Sequence, residues 1–376
     1  MSSAETADVI VVGGGMFGSS IAYGLARSGA DVVLLDEGDV ALRAARGNFG
    51  LVWVQSKGQG MQPYADWSRE SSHLWDDFAV ELQELTGIDV DYRNAGGLQL
   101  LLGEEEVEKK RSDIAKMRQQ AGPARYDCDI ITRAEAQEML PNVRVGDAVS
   151  GASFCPHDGH VNPLLLLRAL HMAVRASGGR YHTERHVETI SREGDVFVAH
   201  TAKGRYTAPK IVLGAGHGAP RLGPMVGLDV PIRPERGQVL ITERLKPLFR
   251  MAVSHVRQTT EGTIQIGSSA EDTEFDDGTT IEVIRRMAGR AVQMFPFLET
   301  VRLNRAWGCI RVLTPDMAAI YDESVSHPGA FVATSHSGVT LAAINVRHVA
   351  HWIATGEMQP GFERFSARRF DVQAAA

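Results

Sequence analysis

Asp8-Val-Ile-Val-Val12, Gly13-Gly-Gly-Met-Phe-Gly18 and Val32-Val-Leu-Leu-Asp36 decide the reading of this chain. The first is an apolar run too short for a helix, and it stops at three glycines. A small-residue helical stretch follows (Ser19, Ser20, Ala22, Gly24, Ala26), and a second apolar run ends in an acid. Gly13 suits a tight turn off the strand, Gly15 lets backbone approach a pyrophosphate, and Gly18 lets helix and strand pack closely. The helix N-terminus, with unpaired N–H groups and the positive dipole end, receives phosphate charge. Asp36, 23 residues after Gly13, stands where a carboxylate accepts ribose hydroxyls and repels a 2′-phosphate, which argues against NADP. This order of elements predicts a dinucleotide-binding, Rossmann-like unit.

Composition narrows the rest. At 376 residues the chain exceeds one simple core and suits two domains. A net charge of −7 gives no basic footprint, so nucleic acid is not an expected partner. Cys128, Cys155 and Cys309 lie far apart with no CxxC pair, which excludes a disulfide framework and argues against a metal site or iron–sulfur cluster within this chain. The opening Met-Ser-Ser-Ala-Glu-Thr-Ala lacks the basic and apolar regions of an export signal. No apolar run reaches spanning length. The expectation is a soluble, cytoplasmic protein without a transmembrane segment.

Further along, the pattern predicts a helix from Pro63 to Thr86, a strand at Gly96–Leu102 and an exposed charged helix from Glu104 to Gln120. Thr132-Arg-Ala-Glu135 reads as a capping box, and Asn162-Pro163 as the cap and first turn of a helix running to Ala176. Strands are expected at 180–182, 187–190, 196–201 and 210–213, the last ending in a second glycine turn, Gly214-Ala-Gly216. From Ile232 to about Arg305 the character changes to β-like runs, a polar loop at 268–280 and a helix from Ile281 to Met294. Strand-like segments return from Trp307 to Tyr321 and at 330–334, and Ser335-His-Ser-Gly-Val339 turns into a final helix. A nucleotide fold begun at the N-terminus and completed at the C-terminus implies a discontinuous domain with another inserted.

With these segments the chain resembles the D-amino-acid oxidase superfamily of FAD-dependent amine oxidoreductases, which includes glycine and sarcosine oxidases. The likeness rests on Gly13/Gly15/Gly18/Asp36, Asp158-Gly-His-Val-Asn-Pro163, Gly214-Ala-Gly216, Trp307-Gly-Cys-Ile-Arg311 with Thr314-Pro-Asp316, and Ser335-His-Ser-Gly-Val-Thr-Leu341. Gln55-Ser-Lys-Gly58, 262–267 and 336–342 look most like opine-oxidase and hydroxyproline-dehydrogenase catalytic subunits. The resemblance implies an α/β fold, α+β overall: a discontinuous, Rossmann-like FAD-binding domain (1–90, 145–220, 305–376) with an inserted antiparallel-sheet substrate domain (91–144, 221–304).

It also implies site residues. FAD would lie along Gly13, Gly15, Met16, Phe17, Gly18, Asp36 and Glu37, then the loop Gly47, Asn48, Phe49 and Gly50. Arg43 or Arg46 would neutralise phosphate, Arg46 being equally readable as a solvated loop residue. Backbone at Val187 would meet the adenine, with Ala215 and Gly216 nearby. Ser337, Gly338, Val339, Thr340 and Leu341 would point a helix N-terminus at the flavin and stabilise negative charge on its reduced form. Arg311 would grip the substrate carboxylate with its planar fork and touch the cofactor. His336 either lines the pocket, as a catalytic residue, or is structurally hydrogen-bonded; His255, Arg257 and Tyr321 lie on segments that line it in relatives. Cys309 stands near a cysteine that sarcosine-oxidase relatives link to flavin; a buried filler thiol is the main reading and the covalent link the alternative.

The implied reaction is oxidation of the C–N bond of a small amino acid or secondary amine (D-amino acid, N-alkyl amino acid, opine or D-proline-like) by hydride transfer to flavin N5, giving an imine that hydrolyses to an oxo acid. The alternatives are a 2-hydroxy-acid dehydrogenase, with His255 or His336 as base, and the flavin subunit of an electron-transfer complex. Thr340 stands where sarcosine-oxidase relatives place an oxygen-activating lysine. That departure argues against fast oxidase behaviour. Opine-oxidase-like catalytic subunits work beside partners bearing iron–sulfur or flavin centres, so the resemblance implies such partner subunits, or a membrane quinone, as the acceptor.

Overall fold

The computed structural model describes residues 4–38, 44–122 and 126–371. Its first layer is a six-stranded sheet in the order Ile320–Glu323, Ala330–Thr334, Lys210–Leu213, Val9–Val12, Val32–Leu35, Arg180–His182. All its neighbours are parallel except the hairpin joining the first two strands. Val9–Val12 and Val32–Leu35 are buried throughout, as strands covered on both faces must be. On one face lie the helices Met16–Arg27 and Pro163–Ala176 with the C-terminal helical segment from Ala342 to Thr355. The other face is covered by a four-stranded sheet (Glu5–Thr6, Gly204–Ala208, Val196–Thr201, Val187–Glu193) and the turns after Gly216.

The second layer is an eight-stranded sheet in the order Leu303–Leu313, Arg233–Arg244, Thr263–Gly267, Val256–Gln258, Ala252–Val253, Gly97–Leu102, Val149–Cys155, Asp129–Thr132. The helix Ile281–Met294 packs its Val283, Met287, Ala291 and Met294 face into the apolar cluster under that sheet. Val149–Cys155 and most of Leu303–Leu313 fall within the segments that the boundaries above give to the FAD-binding domain, yet both pair within this sheet. The register of Leu303–Leu313 against Arg233–Arg244 runs unbroken from Leu313 to Arg305.

Local signals act as expected. The Thr132 side chain accepts from Glu135 N while the Glu135 carboxylate accepts from Thr132 N, completing the capping box. Asn162 Oδ1 accepts from Leu164 N and Leu165 N, with Pro163 in the first turn. The expected helix from Pro63 to Thr86 is two helices, Gln62–His73 and Trp75–Thr86. They meet at Leu74, where the fully buried Trp75 drops against Phe78 and Tyr92.

Candidate active site

The two glycine turns and the C-terminal turn converge because their strands are neighbours in one parallel sheet. Gly13 adopts φ 103°, and a Cβ there would meet Gly214 O at 2.5 Å. A Cβ on Gly18 would stand 1.8 Å from Gly13 O, so only glycine lets the helix begin this close to its strand. A Cβ on Gly15 would meet nothing within 4 Å: the space over this turn is open. Ala330–Thr334, beside Lys210–Leu213, delivers the chain to Ser335–Thr340, and Gly338 abuts Met16 so closely that a Cβ would lie 2.9 Å from that residue's Cβ. The Ser337–Leu341 turn closes with Leu341 N on Ser337 O, leaving the N–H groups of Gly338, Val339 and Thr340 ahead of its first bond.

Together these turns bound a cavity of about 370 Å³. From the first turn it takes Gly13, Gly15, Met16 and Phe17, and from the end of the second strand Asp36 and Glu37. Asp36 accepts from Gly14 N (2.7 Å) and Gly38 N (3.0 Å), so its carboxylate is fixed beside the turn. Gly47, Asn48 and Phe49 line one wall and Val187, Ala215 and Gly216 another, while His336 to Thr340, delivered by the strand on the far side of Lys210–Leu213 from the first turn's own strand, line a third. Gly18, Gly50 and Leu341 stand behind these walls and shape them without lining them. Arg46 is exposed and outside the wall. Arg43 lies outside the described residues.

Arg311 lines the cavity but does not present an empty fork. Its Nη1 donates to Glu235 Oε1 (2.6 Å), and its Nη2 to Ser268 Oγ and Ser269 O (2.7 Å for the latter). The expected carboxylate grip is therefore part of a pre-formed ion pair, with a side chain 26% exposed. Glu235 sits opposite Arg311 in the strand register, which explains the pairing. His336 is held well below its ordinary pKa, first by burial and then by the charges of Lys57 and Arg311, so it is neutral at ordinary pH.

Three expected substrate residues are elsewhere. Tyr321 is buried in an aromatic cluster with Phe17, Trp67, Phe362 and Phe365 and donates to Asn345 Oδ1 at 2.7 Å. Arg257 is buried behind the Gly50 turn, donating to Gln265 Oε1 and to Val161 O (3.1 Å), with its guanidinium pulled down to about 10 by burial. His255 contacts Ser254 Oγ at 2.7 Å and faces Arg290, Glu106 and Lys110; burial pushes it down to about 4. None of the three lines the cavity. Cys309 does line it, packed where a Gly47 Cβ would sit, and burial pushes its thiol up to about 11.

Other residues enter that sequence reasoning did not single out. Arg221 donates through its side chain to Glu188 O and Val187 O, and the backbone N–H of Arg185 donates to Asp36 O while its guanidinium donates to Tyr206 Oη; both residues line the cavity. His217, directly after the second glycine turn, lines the cavity against Phe275. Trp53 and Lys57 also line it, on a loop whose only sequence cue was the stretch Gln55-Ser-Lys-Gly58. Trp53 N donates to Thr340 Oγ1 (3.1 Å), and Lys57 Nζ donates to Ser337 Oγ. This loop is fastened by Asp158, which is fully buried and accepts from Val54 N, Gln55 N and Gln55 Nε2.

The residues fit FAD: open space over Gly15, helix-start N–H groups at both turns, and a fixed acid beside the first turn. His217 Nε2 and His336 Nδ1, both buried, have no hydrogen-bond partner among the described residues. Fold and cavity together define a FAD-dependent oxidoreductase. Residues 8–352 match the FAD dependent oxidoreductase (DAO) family model, and the chain belongs to that family. It is 39% identical to one of the subunits of opine oxidase from Rhizobium meliloti, over 98% of this chain and 99% of that one. It is 27% identical to the glycine oxidase of Geobacillus kaustophilus over 96% of this chain and 97% of the relative. The crystal structure of glycine oxidase from Geobacillus kaustophilus superposes with a TM-score of 0.87 at 26% identity, covering 96% of this chain and 98% of that one. No helix among the described residues is long and apolar enough to cross a membrane.

Proposed function

We propose that this chain oxidises the C–N bond of a small amino acid bearing a secondary or D-configured amine, yielding an imine that water converts to an oxo acid. One observation carries the reading: a single cavity is lined by the dinucleotide turn together with Arg311, His336 and the Ser337–Thr340 turn. FAD bound there supplies the two-electron acceptor. Arg311, pinned by Glu235, Ser268 and Ser269, would orient the substrate carboxylate with little loss of side-chain freedom. The N–H groups of Gly338, Val339 and Thr340 would stabilise negative charge developing beside them. Neutral His336 adds no charge that would oppose a neutral amine. The named activities of the opine and glycine oxidase relatives support an amino-acid substrate, and the relative named as a subunit supports a partner that takes the electrons onward.

The test is an anaerobic absorbance titration of the purified, FAD-loaded protein with N-alkyl amino acids, prolines, opines and 2-hydroxy acids. Bleaching by an amine class is the expected result, followed by slower recolouring in air than with an added quinone. Bleaching by 2-hydroxy acids alone overturns the amine reading.

A further inference from the structure

A guanidinium has five N–H groups, and their use at Arg311 is uneven. One Nη1 hydrogen goes to Glu235 Oε1 (2.6 Å), while both Nη2 hydrogens go to adjacent residues of one segment, Ser268 Oγ and Ser269 O. A two-point grip on a carboxylate runs along the Nη1–Nη2 edge or the Nε–Nη2 edge, and either edge needs an Nη2 hydrogen. None is free until a serine gives one up. Nor can the fork retreat: a Cβ on Gly237 would fall 2.5 Å from Arg311 Nη2, so the guanidinium lies directly on the neighbouring strand.

The two serines are held differently. Ser269 is buried, and its hydroxyl is tied both ways, accepting from Gln238 N (2.8 Å) and donating to Glu271 Oε1 (2.5 Å). Glu271 is gripped in turn by buried Arg236, which donates to its Oε2 (2.8 Å) and to Asp276 Oδ2 (2.5 Å). The backbones of Arg236 and Glu271 also exchange two hydrogen bonds. Residues 269–276 thus form a strap fastened to the strand Arg233–Arg244, beside the strand that carries Arg311. Ser268 is exposed and lines the cavity, so its hydroxyl is within reach of a ligand. Among the described residues that hydroxyl meets only Arg311 Nη2, and it can rotate away without disturbing the strap.

We infer that Ser268 Oγ holds the place of a substrate carboxylate oxygen, and that Arg236 is a positioning residue which, through Glu271 and Ser269, keeps the Arg311 fork aimed while the two exchange. Binding replaces a neutral acceptor at Nη2 by a charged one and leaves the bonds to Glu235 and Ser269 in place. This rests on the reading above that Arg311 takes the carboxylate, and not on the fate of the amine.

The test titrates (methylthio)acetate, a monocarboxylate with no amine to oxidise, into the FAD-loaded full chain by calorimetry and flavin absorbance. Substitutions in the same strap should act in opposite directions. Ser268→Ala removes the competing acceptor and should tighten binding by about threefold or more, the worth of one exposed hydrogen bond. Arg236→Met releases Glu271 and Ser269 and should weaken binding roughly tenfold, with Arg236→Lys, which keeps a charge for Glu271, restoring part of it. Glu271→Ala cuts the same link at its other end and should weaken binding likewise, which covers an Arg236→Met variant that does not fold. A Ser268→Ala variant that binds as the wild type does, or more weakly, overturns the exchange. Strap variants that fold and bind as the wild type does overturn the positioning role. A wild type that binds (methylthio)acetate no better than Arg311→Met does sinks the carboxylate reading itself, and this inference with it.

Discussion

Replacing Asp158 by Asn changes how stability depends on pH, by an amount the structure sets. The Asp158 carboxyl has no solvent exposure, and burial pushes it up from 3.8 to about 7 despite the three N–H donors it accepts from. Below 3.8 both native and unfolded states hold the proton. Between there and about 7 only the native state holds it, so this group's contribution falls as pH rises, then levels off above. At 1.36 kcal/mol per pH unit the whole interval corresponds to about 4 kcal/mol, and the part between about pH 5 and about pH 8 to roughly 2–3 kcal/mol. Buried His160, lowered to about 3, and His255, lowered to about 4, titrate in the opposite sense. The informative quantity is therefore the difference between variant and wild type. Asn keeps an Oδ1 acceptor for Val54 N and Gln55 N and never ionises. Urea unfolding at saturating FAD should show Asp158→Asn gaining on the wild type by roughly 2–3 kcal/mol between about pH 5 and about pH 8. A difference that stays flat across that window refutes the claim that the carboxyl is held protonated.

Three further outcomes follow from the site. Gly18→Ala sets a methyl against Gly13 O at 1.8 Å and should yield protein without bound flavin, read from its visible spectrum; a yellow, normally stable variant contradicts the close-packing argument. Because burial pushes the Cys309 thiol up to about 11, little thiolate is present at neutral pH, and denaturation should release FAD from wild type and Cys309→Ala alike; flavin that stays with the wild-type chain refutes this. Arg311→Lys keeps a charge for Glu235 but loses the fork, so Kd for (methylthio)acetate should rise about tenfold while the flavin content is unchanged; an unaltered Kd removes Arg311 from carboxylate binding.

What could be read from the sequence was local. The glycine turn, the Thr132 capping box and the Asn162 cap each depend on residues a few positions apart, and each formed as expected. The strand Val149–Cys155 escaped notice because its partners lie about 50 and about 20 residues before it, at Gly97–Leu102 and Asp129–Thr132. For Tyr321 the strand was legible but not the face presented to the cavity, and alternation flips that face at every residue; His255 lies in the turn before the three-residue strand Val256–Gln258, which is too short to leave a pattern that places it or Arg257. Lys57 sits on an irregular loop whose course is set by Asp158, about a hundred positions later, so the stretch Gln55-Ser-Lys-Gly58 marks a resemblance but not the direction of its lysine. The Arg311–Glu235 pair likewise follows from strand register across 76 residues.

The parallel sheet has a consequence for how the chain is made. Its central strands, Val9–Val12 and Lys210–Leu213, are about 200 residues apart, and Ala330–Thr334 must still dock beside the latter. During synthesis the first glycine turn emerges long before its neighbouring turn at Gly214–Gly216 and the Ser337–Thr340 lip. Cofactor capture is therefore delayed until the segment through Thr340 has left the ribosome. Until then the apolar edge of Val9–Val12 waits without its partner, and that interval is when nascent chains of this fold are most exposed to aggregation.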